Sequence, residues 1–263
     1  MMKHVFSPRV SALAAALIVL SAQEVMAVTR STTKSSEPPW DLIIGAVVLF
    51  VVLTSMVFYF DRRRRKKLGE MAQSLGLTYR AVATDADCKM PAGCSLMHEG
   101  RDPTIGNVLE VARTDELDFT LFDLSYTSGY GRSETVISQT VARMRAPLLK
   151  LPAFRLFPQT ILADIRIAFG GTDINFSDSP NFSKKYVLRG EDEATICRLF
   201  TPSLRQTLET FDHLTVEGAN DDVLFVFRWG RQIKPADLAA RIEADKRILA
   251  GFVEAQQPNA KLS

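Results

Sequence analysis

The residues whose types could do chemistry are few and scattered. Asp85, Asp87, Cys88 and His98 lie close together in sequence. A thiolate nucleophile needs a base within hydrogen-bond reach. Cys88 and His98 are the catalytic candidates on that ground, provided that adjacent strands bring them together. The simpler alternative is that a free cysteine packs as a small hydrophobe. Cys88 and Cys94 are separated by a five-residue spacer, which fits none of the common zinc spacings, and His98 is the nearby imidazole. No metal and no cofactor are therefore expected. Ser128-Gly129-Tyr130-Gly131-Arg132-Ser133 has the composition of a phosphate loop. It lacks the GxxxxGK[ST] spacing and is flanked by strand-like segments, so an exposed hairpin turn is expected. Asp173, Asn175 and Asp178 could collect a hard cation, but the glycine and terminal glutamate of a calcium loop are missing. Glu191, Asp192 and Glu193 read as a helix start, where acids meet the positive end of the helix dipole. His213, beside Leu214, reads as a structural histidine at a strand start.

With no defensible catalytic constellation, composition and topology carry the reading. The chain has 263 residues and a formal net charge of +2. Its hydrophobic fraction of 46% and its mixed charges are those of a foldable chain, not a disordered one. Three cysteines make an odd count, which argues against a disulfide framework in a cytoplasmic domain. Six positive charges are concentrated in Arg62, Arg63, Arg64, Arg65, Lys66 and Lys67. Elsewhere acids and bases are interspersed, so no nucleic-acid groove is expected. Topology and anionic lipid headgroups account better for the basic run.

That run follows directly on Leu42 to Phe60, which carries no charge. Roughly 20 apolar residues suffice to cross a bilayer core as a helix. The positive-inside bias keeps the basic cluster on the cytoplasmic side, with the N-terminus outside and the domain that follows in the cytoplasm. Residues 1–27 have the layout of a secretory signal peptide: a basic start, the apolar core Val10 to Leu20, and small residues near Ala27. Cleavage after Ala27 is the favoured reading; an uncleaved anchor with two spans is the alternative. Residues 28–40 form a polar external stub and 41–60 the transmembrane helix. Residues 61–76 read as a basic helical stalk, because Leu68, Met71, Ala72 and Leu75 share one helical face and Gly76 supplies a stop.

The domain is expected over residues 77–255, with a polar tail at 256–263. Leu77–Ala81, Ser95–Glu99, Gly106–Arg113, Leu117–Thr127, Thr135–Arg143 and Pro147–Leu151 read as strands from their Val, Thr, Phe and Tyr content. Within Leu117–Thr127 the apolar phase slips between Leu121 and Phe122, so either both faces are covered or a bulge lies near Phe122. Phe154, Leu156 and Phe157 are expected to fill the core beneath a kinked segment around Arg155, an exposed docking surface being the alternative. Thr160–Phe169 reads as a helix, Asp173–Phe176 as a short strand, Ser177–Ser183 as a loop and Lys184–Leu188 as a strand. A helix starts near Glu191. Another starts at Thr201-Pro202, where a hydroxyl N-cap precedes proline at the first position. His213–Glu217 and Val223–Trp229 read as an antiparallel hairpin, and Pro235 opens a last helix to about Ala255. The fold class is α+β: a mostly antiparallel sheet with short helices and a C-terminal helix, preceded by one transmembrane helix.

The segments SLGLTY (Ser74–Tyr79), LFDLSYTSGYGRSETVISQTV (Leu121–Val141), LPAFRLFP (Leu151–Pro158) and GTDINFSDSPNFSKKYVLRGEDEATICRLFTPSL (Gly171–Leu204) resemble a family of uncharacterised bacterial membrane-anchored proteins. The resemblance covers most of the expected cytoplasmic part. It implies one unit in layout from Leu68 to about Ala255 and implies no activity.

Together these readings describe a single-pass inner-membrane protein whose cytoplasmic domain is a binding or scaffold module. Its expected partners are membrane lipids, met through Arg62, Arg63, Arg64, Arg65, Lys66 and Lys67, and a protein. The alternative is a membrane-tethered hydrolase whose active site forms only in the fold.

Overall fold

A computed structural model describes residues 40–91, 94–129, 131, 134–161, 173–219 and 222–257. The signal-peptide reading, the external stub before Trp40 and the end of the polar tail lie outside the described residues. So does most of the helix expected at Thr160–Phe169.

Helix α1 runs unbroken from Trp40 to Ser74. Its segment Ile43–Ser74 is long and apolar enough to span a membrane, with a mean hydropathy of 2.6 over its most apolar window and none of that window buried. Val47, Val51, Val52 and Met56 stand open on the surface, which suits a lipid environment and costs free energy in water. Three turns later the same helix has an inside: Leu68 and Ala72 are fully buried. Gly76, at φ +70°, ends it. The Leu77 amide there donates to the Ala72 carbonyl at 2.8 Å, a left-handed cap of the kind glycine permits.

Strands β1 (Thr78–Val82), β2 (Arg101–Arg113), β3 (Asp118–Ser128) and β4 (Thr135–Arg145) follow. Then come β5 (Ala153–Pro158), helix α2 (Pro180–Lys185), β6 (Tyr186–Gly190), α3 (Glu193–Leu199) and α4 (Pro202–Glu209). The hairpin β7 (Thr215–Ala219) and β8 (Val223–Phe227) leads to the closing helix α5 (Leu238–Gln256). The eight strands form one sheet in the order β1-β2-β3-β4-β8-β7-β5-β6, with every neighbouring pair antiparallel. The fold is thus α+β, as the alternation of strand and helix signals indicates.

Both sheet faces are covered, which resolves the phase slip in β3. Phe119 and Leu121 pack on the helix side, whereas Phe122, Leu124 and Tyr126 belong to a second cluster on the far side. The β3–β4 register runs without interruption from Asp118↔Arg145 to Ser128↔Thr135, so no bulge is needed at Phe122. The irregularities fall in β2 instead, between Arg101 and Thr104, Gly106 and Leu109, and Glu110 and Ala112. Asp102 and Asn107, at φ 52° and 50°, sit within the first two. A bulge re-aims a side chain, and here it is Asn107 that is turned to a use described below.

On the helix side, Phe154 of β5 stacks on Phe252 of α5, with centroids 5.7 Å apart, and meets Phe200 edge-on at 5.1 Å. This aromatic knot seats α5 over the short strands. The Asp192 carboxylate caps α3 by accepting from the Thr195 amide at 3.0 Å, and the Thr201 hydroxyl caps α4 at the Leu204 amide, 3.3 Å. Both caps are the ones their sequence positions suggest.

Four expectations give way. Ser95–Glu99 is not a strand: Leu96–His98 is a 3-10 turn in a strap, of which residues 83–91 and 94–100 are described, packed on the far face of the sheet. Pro147–Leu151 is a turn closed by the Leu149 amide on the Ala146 carbonyl, 2.9 Å; proline has no N–H for a ladder. Asp173–Phe176 meets the β6 backbone through the Ile174 amide on the Leu188 carbonyl, at 2.8 Å, and joins no ladder. The loop expected at Ser177–Ser183 closes into α2 from Pro180, since proline's fixed φ suits a first helical position.

Candidate functional site

The basic run splits by helical periodicity. Arg62, Arg63, Lys66 and Lys67 are exposed and share one face of α1 with Tyr59 and Glu70. Arg64 points the other way, into the sheet, on the side of Leu68 and Ala72. Arg65 is half-buried and pairs with Asp61 at 2.9 Å, one turn back. The six cations expected to meet headgroups do not share one face of α1. Arg64 is committed to the protein interior, and the outward patch consists of Arg62, Arg63, Lys66 and Lys67.

Arg64 ends in a polar hub. Its Nη1 and Nη2 donate to the Asp123 carboxylate at 2.6 and 3.3 Å, and Nε and Nη2 donate to the Ile233 carbonyl at 3.3 and 3.0 Å. Asp123 is buried in the middle of β3. It also accepts from Asn107 Nδ2 at 2.9 Å, Thr140 Oγ1 at 2.5 Å and Gln232 Nε2 at 3.1 Å. The Tyr79 hydroxyl donates to Asn107 Oδ1 at 2.8 Å, and the Ile233 amide donates to Thr140 Oγ1 at 2.9 Å. A buried carboxylate is costly unless paired and hydrogen-bonded; here every partner is supplied by a different element. α1, β2, β4 and the segment before α5 all bond Asp123, and β1 joins them through the Tyr79–Asn107 bond.

A second charged cluster lies on the far face beneath the strap. Arg155 of β5 is directly opposite Glu217 of β7, and both are essentially fully buried. Arg155 Nη1 donates to Ser95 Oγ at 3.0 Å, and its Nη2 is ion-paired with Glu99. Ser95 donates its amide and, at 2.9 Å, its hydroxyl to the Glu217 carboxylate. The Tyr126 hydroxyl donates to Glu99 at 2.5 Å. Burial pushes the Glu217 pKa upward against the opposing pull of the Arg155 charge and the Ser95 hydrogen bonds. Burial, with the nearby Glu217 charge, pushes the Cys94 thiol up to about 12. Such a thiol stays protonated and is a poor nucleophile at neutral pH.

The catalytic candidates from sequence are not joined. Cys88 is exposed in the turn at 85–88. Partial burial and the charges of Asp87 and Asp85 push its thiol upward, away from thiolate character. The His98 ring, through Nδ1, lies 3.2 Å from the Cys94 carbonyl. No hydrogen bond links Cys88 to His98 among the described residues. Asp87 has a structural role, accepting from the Thr84 amide and hydroxyl and from Arg80 at 2.7, 2.8 and 3.0 Å. Among the described residues no three His, Cys, Asp or Glu side chains gather as a cation cage. Asp173 and Asp178 pair with Arg189 and Arg205. His213 sits at φ 54°, ahead of β7.

Asp123 and Glu217 carry no signal used in the sequence reading, and Arg155 enters it only beside an alternative docking surface. Each is a charged residue with apolar neighbours inside a strand. In a sheet covered on both faces such a charge must be buried and paired, and that is the signal by which all three could have been found.

No family model matches the chain, and no curated protein matches it. Among solved structures, the mycobacterial trehalose monomycolate transport factor A, TtfA, is similar at 12% sequence identity, covering 74% of this chain and 94% of that one with a TM-score of 0.48.

Proposed function

We propose that this chain is a membrane-anchored, non-enzymatic binding or scaffold module, held at the inner membrane with its α+β domain in the cytoplasm. The observation that carries this reading is the two-sided use of the basic run. Four cations face outward just below the apolar span, while Arg64 ties the same helix to the centre of the sheet. An outward cation near an anionic leaflet is worth about 1 kcal/mol, so Arg62, Arg63, Lys66 and Lys67 together hold the domain's attachment point at the headgroup layer. The inward Arg64 fixes how the domain hangs from that point, which presents one constant surface to a protein partner.

Two measurements test it. A reporter fused after Ser263 is expected to behave as cytoplasmic, and one at Ser36 as external; the reverse orientation overturns the topology. The full chain, extracted in mild detergent, is expected to retain phosphatidylglycerol or cardiolipin. The variant with Arg62, Arg63, Lys66 and Lys67 all changed to Gln is expected to lose it. Equal retention by that variant removes the lipid-binding role.

A further inference from the structure

We propose that the charged far-face cluster is a docking site for a peptide segment of a partner protein, and that the strap's own residues Ser95–Glu99 occupy it as an intramolecular ligand. The segment it takes carries a hydroxyl, an apolar residue next to it, and a carboxylate spaced as Glu99 is from Ser95. The inference rests on the reading of this chain as a binding module. The strap itself is the first observation. It joins β1 to β2, which are adjacent and antiparallel, a connection that about two to five residues ordinarily make. Much longer connections are uncommon and usually serve binding. This one leaves the first strand of the sheet order and reaches β7 and β5, the sixth and seventh.

The strap lies on the sheet without joining it. Among the described residues its backbone hydrogen bonds close on the strap: the Asp87 and Cys88 amides donate to Thr84, Lys89 to Ala86, Cys94 to Pro91 and His98 to Ser95. Residues 94–100 are held down through side chains instead. Ser95 donates its amide and hydroxyl to Glu217, and Glu99 takes Arg155 and Tyr126. Leu96, between them, is fully buried in the far-face apolar cluster with Phe122 and Leu124. A docked peptide is held in the same way, by an apolar anchor with flanking polar contacts. The receiving side chains stand on β3, β5 and β7, so lifting residues 94–100 breaks no strand pairing.

The strap fills this site incompletely. The hydrogen bond from Arg155 to Glu99 runs through Nη2, and Arg155 Nε is buried with no partner among the described residues. The Thr215 hydroxyl, also buried, has none either. Both flank one ring: the Arg155 guanidinium lies over Phe227, 5.7 Å from its centroid, and Phe227 pairs with Thr215. Buried polar atoms are normally satisfied, and an orphan marks a missing partner. A carboxylate set side-on to Arg155 takes Nε and Nη2 together, which is the stronger, bidentate geometry. A segment that places its carboxylate so gains more from Arg155 than Glu99 does, and that difference is what displaces a tethered strap. Its hydroxyl and amide replace those of Ser95, so Glu217 keeps its donors.

The test uses the full chain in detergent micelles and a fluorescein-labelled peptide copying Ser95–Gly100, beside the same peptide with Glu99→Gln. The Leu96→Ala, Glu99→Ala variant of the chain, whose strap no longer competes, is expected to bind the first peptide about tenfold more tightly than wild type does. The Glu99→Gln peptide is expected to bind that variant about tenfold more weakly than the first. Equal binding of the two peptides, equal binding by wild type and variant, or no binding to a variant that still unfolds cooperatively overturns the proposal. If the variant does not fold, alkylation of Cys94 decides, in the chain with Cys88→Ser and Cys197→Ser. Cys94 is buried, and its labelling is expected in denaturant too dilute to unfold the sheet; labelling only with global unfolding overturns the proposal. These measurements involve neither lipid nor orientation. Failure of the topology or lipid-retention tests therefore leaves the docking site standing, and failure here leaves Arg62, Arg63, Lys66 and Lys67 in their role.

Discussion

Arg64 of the membrane helix and Asp123 at the centre of β3 are joined by two hydrogen bonds, 2.6 and 3.3 Å long, across 59 residues of sequence. The Arg64 side chain is 19% exposed and that of Asp123 6%, so the pair is largely shielded from water and salt. It converts a tether into a bracket: the helix long and apolar enough to span a membrane also contributes Arg64 to the domain's polar core.

The coupling can be measured. Arg64→Gln and Asp123→Asn, singly and together, are expected to give a coupling free energy of about 1–3 kcal/mol in a double-mutant cycle. Asp123→Asn should be the more damaging single change, because four elements bond that carboxylate. Unfolding of the full chain in detergent micelles reads both. Additive effects of the two changes would show that the pair contributes no coupling.

The far-face cluster makes an asymmetric prediction. Arg155→Leu leaves Glu99 and Glu217 buried without their shared cation, and should cost about 3–5 kcal/mol. Glu217→Gln keeps acceptor oxygen for Ser95 and leaves Arg155 paired with Glu99, so it should be neutral or mildly stabilising at pH 7. Thermal unfolding of the two variants decides this; equal destabilisation by both would contradict it.

The same cluster sets a pH dependence. Burial raises the pKa of Glu217 in the fold, and likewise that of Asp245 beside Arg241. A carboxylate raised on folding contributes stability below its unfolded pKa, and that contribution is lost as pH rises through the folded value. Asp87 runs the other way. Burial pushes it up, but hydrogen bonds from Thr84 and Arg80 bring it below its ordinary value, so its contribution is lost in acid. The melting temperature is therefore expected to rise as pH falls from about 8 toward about 5, and to drop below the ordinary carboxylate range. Glu217→Gln combined with Asp245→Asn should flatten the first limb and leave the second. A wild-type melting temperature that falls steadily from pH 8 downward would contradict the assignment.

The sheet and its helices were legible where local chemistry agreed with the fold. The Thr201 cap, the acidic helix start at Glu191–Glu193, the last helix after Pro235 and the β7–β8 hairpin all follow from local chemistry. The stalk face of Leu68 and Ala72 was legible too, because helical periodicity continues from the exposed apolar segment of α1 into its buried end. The strap was not: Cys94, Ser95 and Leu96 have strand-like neighbours, but their bonds run to Glu217 and to the apolar far face rather than to a ladder. The division of the basic run was legible only in part. Arg64 lies four and eight residues before Leu68 and Ala72 on the same helical face, a spacing that could have set it apart; the carboxylate it meets, 59 residues away, has no local signal.

The central claim is that α1 and the domain form one rigid unit through Arg64 and Asp123. The direct measurement is the spin-label distance distribution between Val52→Cys and Leu148→Cys in the full chain in nanodiscs, with Cys88 and Cys197 changed to Ser. A single narrow distribution that broadens on Arg64→Gln is the expected result. A broad distribution in the otherwise unaltered chain, or a narrow one that Arg64→Gln leaves unchanged, would contradict it.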